Sequence, residues 1–183
     1  MPTVFGSNAY EFVIVSDPFT ADNNHWVTAE ADAAASVFNG VNGHLATITS
    51  DAENAFLFGL ASGTFQGFAG AWLGGNHAGW LAGPENGQSF ADTGYQKWGG
   101  IEPNNDGFMY MSIGTTTAPS FWFDDSGVPN PDPDLLGAPH FLNDPVVGYF
   151  VEYENVPEPT TMTLLATGLA GLGASAWRRR LRK

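Results

Sequence analysis

The sequence predicts an α+β domain in which β-strands frame two helices, followed by a hydrophobic helix at the C-terminus. Three observations lead to this prediction. Strand-like segments open and close the globular part, at residues 9–15 and 146–154. Helical periodicity is confined to residues 24–61. Residues 160–177 contain no charge over 18 positions, which is typical of a membrane-spanning helix.

The first half of the chain contains both predicted helices of the globular part. The alanine-rich segment 24–38 has amphipathic helical spacing. Its predicted buried face consists of Trp26, Ala29, Ala33 and Val37. Residues 39–48 turn out of this helix into a short strand. Ser50 and Glu53 then have capping-box spacing, which predicts a second helix over 50–61.

The second half predicts short strands and long loops. Beyond Gly63 the helical periodicity disappears, and short apolar segments alternate with stretches rich in Gly, Asn, Asp and Pro. The segment VVGYFVEYE (146–154) is the last predicted strand. Because this strand and the one at 9–15 bracket the domain, we expect them to pair and bring the ends of the domain together.

Composition and charge exclude several classes of protein. The 183 residues suffice for one domain with a sizeable core. Lys97 is the only basic residue before Val156, against 18 acidic residues. Such a surface opposes nucleic-acid binding, which needs basic groups to contact phosphates. It suits cation binding or simple solvation. Because the chain has no cysteine, disulfides, zinc–thiolate sites and cysteine nucleophiles are excluded.

Several motifs resemble, in order and spacing, those of the C-type lectin-like domain over residues 9–154. They are Trp26-x-x-Ala29, GHLATITSDAENAFL (43–57), WLGG (72–75), YQKWGGIEPNN (95–105), LND (142–144) and GYFVEYE (148–154). The resemblance implies two helices, antiparallel sheets and a long irregular loop region, here without disulfides. It also assigns six aromatic or aliphatic residues to the core: Trp72, Trp80, Trp98, Phe108, Val147 and Tyr149.

The chain departs from the pattern of that family near its end. Leu142 stands where the family has a tryptophan, before Asn143 and Asp144. Residues 114–141 are also long for a connection between two strands. His44 shows no metal-ligand spacing with the other histidines, and we expect it to make a structural hydrogen bond.

The stretch WGGIEPNNDGF (98–108) is the strongest candidate for a binding site. Its carboxylates and carboxamides flank a proline, and oxygen ligands of this kind suit Ca²⁺, which takes about 6–8 of them. The lectin resemblance implies a cis Glu102–Pro103 bond and five Ca²⁺ ligands. These are Glu102, Asn104, Asp106, Asn143 and Asp144. The same resemblance implies that Glu102, Asn104 and Asn143 hydrogen-bond the hydroxyls of a mannose-type sugar.

Other interpretations of the acidic loops remain open at this point. Asp124 and Asp125, which follow the segment FWF, compete for the role of the final pair of ligands. NPDPD (130–134) is either a second cation-binding loop or a solvated one. The Glu102 loop itself is also explained as a polar turn, since proline and glycine favour turns without any ligand.

The C-terminal residues 156–183 form a separate segment after a lectin-like domain of residues 1–155. An uncharged span of about 27 Å at 160–177 comes directly after Val156, Pro157, Glu158 and Pro159. The basic segment RRRLRK follows this span. A basic cluster at this place holds that end on the cytoplasmic side. The three parts together resemble the PEP-CTERM sorting tail, which implies export, processing by an exosortase and removal of the hydrophobic segment. A permanent membrane anchor is the alternative.

The N-terminus does not match this interpretation, since MPTVFGSNAYEF lacks the basic and apolar regions of a signal peptide. We therefore expect a misassigned start or a fragment. The function predicted from the sequence is an exported, calcium-dependent carbohydrate-binding protein that acts on a glycan such as exopolysaccharide. The alternative is a structural or adhesive matrix protein that binds neither calcium nor sugar. We expect no enzymatic activity, because no serine elbow, HExxH helix or phosphate loop occurs.

Overall fold

The computed structural model of the chain describes residues 1–15, 25–61, 65, 69–105, 107–114, 120–125 and 146–156. These residues form nine strands and three helices. In chain order they are β1 (Thr3–Phe5), β2 (Asn8–Ile14), α1 (His25–Ala35), β3 (Val37–Phe38), β4 (Val41–Leu45), α2 (Asp51–Ala61), β5 (Gly70–Asn76), β6 (Gly79–Trp80), α3 (Phe90–Thr93), β7 (Phe108–Ser112), β8 (Trp122–Asp125) and β9 (Val146–Tyr153). The predicted α+β class is confirmed.

The last strand, β9, organises the sheet. It pairs antiparallel with β2, where Phe150 lies opposite Phe12, and antiparallel with β4. Its first half pairs with β5 in parallel, which departs from the expected antiparallel arrangement. The main path through the sheet is β1-β2-β9-β5-β7-β8. The expected pairing of the first and last long strands is therefore confirmed.

Helix α1 buries three of the four residues predicted for its apolar face, namely Trp26, Ala29 and Ala33. The prediction is wrong for Val37, which is 62% exposed. Because α1 ends at Ala35, Val37 begins the short strand β3 instead of continuing the helical face. The periodicity of the sequence extends beyond the helix that the chain forms.

The start of α2 confirms half of the predicted capping box. The Glu53 backbone N–H donates to Ser50 Oγ over 3.2 Å, whereas the Glu53 carboxylate accepts from the Thr49 backbone N–H. A complete capping box instead occurs at α3, between Ser89 and Asp92, in a region where no helix was expected. The Ser-x-x-Asp spacing is the signal for α3 that the sequence analysis missed.

The core is aromatic, as the resemblance implied. Trp72 and Trp80 are buried, and Trp98 packs half-buried against the same core. Phe108 stacks on Trp26 with ring centroids 4.2 Å apart. The remaining two predicted core residues are also buried: Val147 and Tyr149.

Val156 belongs to the packed domain although it opens the predicted sorting tail. It is buried in the second core cluster, and its backbone N–H donates to the Ser7 carbonyl over 2.9 Å. The other three residues of the motif, 157–159, and the predicted membrane span at 160–177 lie outside the described residues. Among the residues that the structure describes, no helix has the length and apolar character needed to span a membrane.

Candidate functional site

The loop that carries Glu102 is held against strand β8 by backbone hydrogen bonds. The Trp122 N–H donates to the Lys97 carbonyl over 2.8 Å, and the Gly99 N–H donates to the Trp122 carbonyl over 3.0 Å. An added Cβ at Gly99 would stand 2.7 Å from the Phe123 ring, so a larger residue here would require that ring to shift. The loop therefore begins at a fixed position on the sheet.

Beyond this anchor, two carboxylates converge on one backbone amide. The Asn104 N–H lies 3.0 Å from Glu102 Oε2 and 3.0 Å from Asp124 Oδ1. The Asn105 N–H donates to Asp124 Oδ2 over 2.9 Å, with Asn105 in the left-handed region at φ 72°. The Glu102–Pro103 peptide bond is cis, as the resemblance implied. Glu102 and Asp124 are therefore neighbours in space.

Strand β8 positions Asp124 through the buried residue two places earlier. Trp122 is fully buried, and its indole N–H donates to Asn54 Oδ1 over 2.7 Å. Asn54 in turn donates to the Ser120 carbonyl over 3.0 Å. Because alternate strand residues share a face, the buried Trp122 determines the side of the sheet on which Asp124 lies. Asp124 is only 4% exposed, so a charged side chain is held at the junction of β8 and the loop.

The structure leaves the predicted ligand set untested. Glu102 and Asn104 lie together at the loop, whereas Asp106, Asn143 and Asp144 lie outside the described residues. The five-ligand set therefore stays a prediction. Asp124, which the sequence analysis considered as a competing ligand, contacts the Glu102 loop directly.

The chemistry of the loop fits a hard cation. Its donors are carboxylate and amide oxygens, the ligand type that Ca²⁺ prefers. Glu102 and Asn104 are partly exposed, so a ligand reaches them from solvent. The two convergent carboxylates bring negative charge to a part of the chain whose single described lysine, Lys97, lies near Asp51 instead. The residues present are thus compatible with calcium.

A second acidic cluster, which the sequence analysis missed, lies in the core around Glu152. Tyr10 Oη is 2.6 Å from Glu53 Oε1 and 2.8 Å from Glu152 Oε1. Thr47 Oγ1 is 2.7 Å from Glu85 Oε2 and 3.3 Å from Glu152 Oε2. Burial, followed by the nearby Glu53 charge, raises the pKa of Glu152 to about 8. Burial and the Glu152 charge also raise the pKa of Tyr10.

The fold and the loop define the class of this protein: it has the C-type lectin-like fold. The C-type lectin CEL-I from Cucumaria echinata has a TM-score of 0.53 at 16% identity, covering 84% of this chain and 95% of CEL-I. A variant described as the EPNH mutant of CEL-I has a TM-score of 0.55 at 19% identity, covering 84% and 94%. The Ca²⁺-independent C-type lectin SPL-2 from Saxidomus purpuratus has a TM-score of 0.52 at 14% identity, covering 86% and 92%.

The C-terminal segment adds a particular feature to this class. Residues 155–180 match the PEP-CTERM protein-sorting motif, which confirms the resemblance of the tail. The chain therefore combines a C-type lectin-like fold with a C-terminal sorting signal. A comparison with curated proteins gave no match.

Proposed function

We propose that this protein is an exported, calcium-dependent lectin that binds carbohydrate at the Glu102 loop. The observation that carries the proposal is the convergence of Glu102 and Asp124 on the Asn104 backbone amide. Two carboxylates from separate segments meet there, next to a partly exposed carboxamide. These carboxylate oxygens accept from backbone N–H groups, and a shared Ca²⁺ would bind through their remaining lone pairs.

The residues of this chain have distinct parts in the proposed site. Glu102, Asn104 and Asp106 would hold the ion together with a final pair of ligands. Asn143 and Asp144 are the predicted pair, and Asp124, which contacts the loop, is the alternative. Calcium, when bound, supplies coordination positions for two sugar hydroxyls. The Glu102 carboxylate accepts hydrogen bonds from such hydroxyls and the Asn104 amide donates to them, which orients a mannose-type diol. The one-letter order of residues 102–104, EPN, is also found in the name of the EPNH mutant of CEL-I. The proposed activity is binding, without catalysis.

The sorting motif supports a location outside the cytoplasm. We infer export across the inner membrane, with residues 160–177 in the bilayer during sorting and an exosortase acting near Pro157–Pro159. The destination is the cell envelope or the extracellular matrix, where exopolysaccharide is the proposed ligand. The match of residues 155–180 supports this proposal.

The fold by itself does not decide calcium dependence, because the similar lectin SPL-2 is described as Ca²⁺-independent. The alternative function is therefore a structural or adhesive matrix protein without calcium. The effect of calcium on the stability of the folded protein distinguishes the two functions. At ten times its dissociation constant, a ligand that binds only the folded state stabilises that state by about 1.4 kcal/mol. The alternative predicts no change in Tm between calcium and chelator.

The direct test is a glycan array with the full-length chain in detergent, in millimolar calcium and in chelator. The matched variants are Glu102→Gln, which keeps an oxygen to accept from Asn104, and Glu30→Gln on α1, which belongs to neither acidic cluster. We expect binding only in calcium, a loss of at least about tenfold in Glu102→Gln and wild-type binding in Glu30→Gln. Absence of glycan binding under all conditions would contradict the proposal.

A further inference from the structure

A histidine and two glutamates meet where strand β4 pairs with the end of strand β9. His44 on β4 lies directly opposite Glu152 on β9 in the antiparallel register. Glu154 follows the last residue of β9, in the turn after the strand. One ligand atom from each of the three side chains lies within 4.8 Å of the others. This group, His44, Glu152 and Glu154, is separate in sequence from the Glu102 loop and is called the β4–β9 cluster.

The hydrogen bond of His44 determines which ring nitrogen faces the glutamates. Nδ1 lies 2.9 Å from the Leu45 carbonyl oxygen. Since a carbonyl only accepts, Nδ1 carries the proton of the neutral ring, and Nε2 has its lone pair available. Nε2 is buried and has no hydrogen-bond partner, and it stands 3.7 Å from Glu154 Oε1. A backbone carbonyl on one ring nitrogen is the usual support of a metal-binding histidine.

The ring of His44 is also held in place. Gly83 packs against it so closely that an added Cβ would stand 2.6 Å from the imidazole carbon Cε1. The backbone of Gly83 has φ +64°, which favours glycine independently of space. The close packing of Gly83 therefore helps to hold the ring in the orientation that brings Nε2 to within 3.7 Å of Glu154 Oε1.

The carboxylates around the cluster also favour binding of a cation. Glu152 is 2% exposed, and Tyr10 and Thr47 link it to two further carboxylates, Glu53 and Glu85. Within the described residues the single lysine, Lys97, is near Asp51 instead. Asn8, Tyr10 and Thr47 donate hydrogen bonds to Glu152, but among the described residues no lysine or arginine lies beside the cluster, so a bound cation would compensate its carboxylates when they are ionised.

We propose that His44, Glu152 and Glu154 form a binding site for a divalent cation of the Zn²⁺ class. Zn²⁺ accepts imidazole nitrogen and carboxylate oxygen at about 2.0–2.2 Å, so two ligands of a tetrahedral ion stand roughly 3.4 Å apart. The 3.7 Å between His44 Nε2 and Glu154 Oε1 is close to this spacing. A nitrogen ligand disfavours Ca²⁺, which takes oxygen ligands. The bound ion would link β4 to the end of β9. This site is proposed to bind Zn²⁺, whereas the Glu102 loop is proposed to bind Ca²⁺.

The test uses Co²⁺ as a spectroscopic substitute for Zn²⁺. The full-length chain is purified in detergent without a histidine tag, stripped with chelator and titrated with Co²⁺ while visible absorption is recorded. We expect one Co²⁺ per chain with tetrahedral absorption bands, displaced by Zn²⁺ and retained in millimolar Ca²⁺. His44→Gln and Glu154→Gln are each expected to weaken Co²⁺ binding at least about tenfold.

Two control variants separate this site from general effects. His77→Gln removes the other histidine side chain that the structure describes, and Glu30→Gln makes the same charge change as Glu154→Gln at another place. Both should bind Co²⁺ as the wild type does. Near-UV circular dichroism checks folding. The Glu154 side chain is 24% exposed, so we expect Glu154→Gln to fold. If His44→Gln is misfolded, the result for Glu154→Gln tests the proposal. Absence of Co²⁺ bands, wild-type affinity in Glu154→Gln, or displacement by Ca²⁺ overturns the proposal.

Discussion

Replacement of Tyr10 with phenylalanine tests how the buried carboxylates around Glu152 are stabilised. The Tyr10 hydroxyl is within 2.6 Å of Glu53 Oε1 and 2.8 Å of Glu152 Oε1. One hydroxyl has one proton, so Tyr10 donates fully to only one carboxylate at a time, and a proton on Glu152 would let both short contacts form together. The raised pKa of Glu152, about 8, agrees with this protonation. Tyr10 therefore holds together two acidic groups that would otherwise repel each other.

The expected cost follows from these contacts. A hydrogen bond to a charged group contributes about 1.5–3 kcal/mol, and the loss of a buried partner adds a desolvation penalty. Because Phe retains the edge contact of the Tyr10 ring with Phe56, the loss is confined to the hydroxyl. We predict that Tyr10→Phe lowers the free energy of unfolding by about 3 kcal/mol.

Tyr95→Phe is the matched control. Its hydroxyl donates over 2.9 Å to Asp51, whose side chain is 83% exposed, so water replaces the lost bond and the cost stays below about 1 kcal/mol. Both variants are measured by urea unfolding, followed by tryptophan fluorescence, in the presence of chelator. Equal losses in Tyr10→Phe and Tyr95→Phe would show that the Tyr10 hydroxyl does not stabilise the buried carboxylates.

Three further predictions concern pH, a helix cap and the tail. Because the pKa of Glu152 is raised to about 8, the metal-free fold loses stability as pH rises from about 4.5 through 8. Glu152→Gln should flatten this part of a Tm–pH profile, and an unchanged slope would contradict the assignment. Ser89→Ala removes the N-cap of α3 and should cost about 1 kcal/mol by urea unfolding, whereas a neutral effect would show that α3 needs no cap. A chain ending at Val156 should fold and stay soluble, but one ending at Asn155 should lose about 1–2 kcal/mol, because Val156 is buried. Equal Tm values for the two truncations would place Val156 outside the core.

The sequence predicted the parts of the fold that depend on local pattern. Residues 146–154 were predicted as a strand, and β9 (Val146–Tyr153) pairs with the first long strand. The motif spacing of the lectin-like domain correctly implied the buried tryptophans. Val37 was assigned wrongly because periodicity alone does not mark where α1 ends. A helix boundary depends on turns and tertiary contacts that the pattern does not contain.

The candidate site was less predictable because its residues meet through tertiary structure. Glu102 and Asn104 were found from a local motif, whereas Asp124 contacts them only because β8 pairs with β7. The sequence offered Asp124 as one of two alternatives, and no local signal chose between them. The pairing of His44 with Glu152 depends on the register of β4 and β9. Residues this far apart in sequence cannot be matched by spacing.

The proposed function depends on carbohydrate binding through calcium at the Glu102 loop. The most direct measurement is a calorimetric titration of the full-length chain with the glycan selected by the array, in calcium and in chelator, for wild type and Glu102→Gln. We expect binding by the wild type in calcium, loss of binding in chelator and at least about tenfold weaker binding by Glu102→Gln. Equal affinity in chelator, or wild-type affinity in Glu102→Gln, would mean that the loop does not bind carbohydrate through calcium.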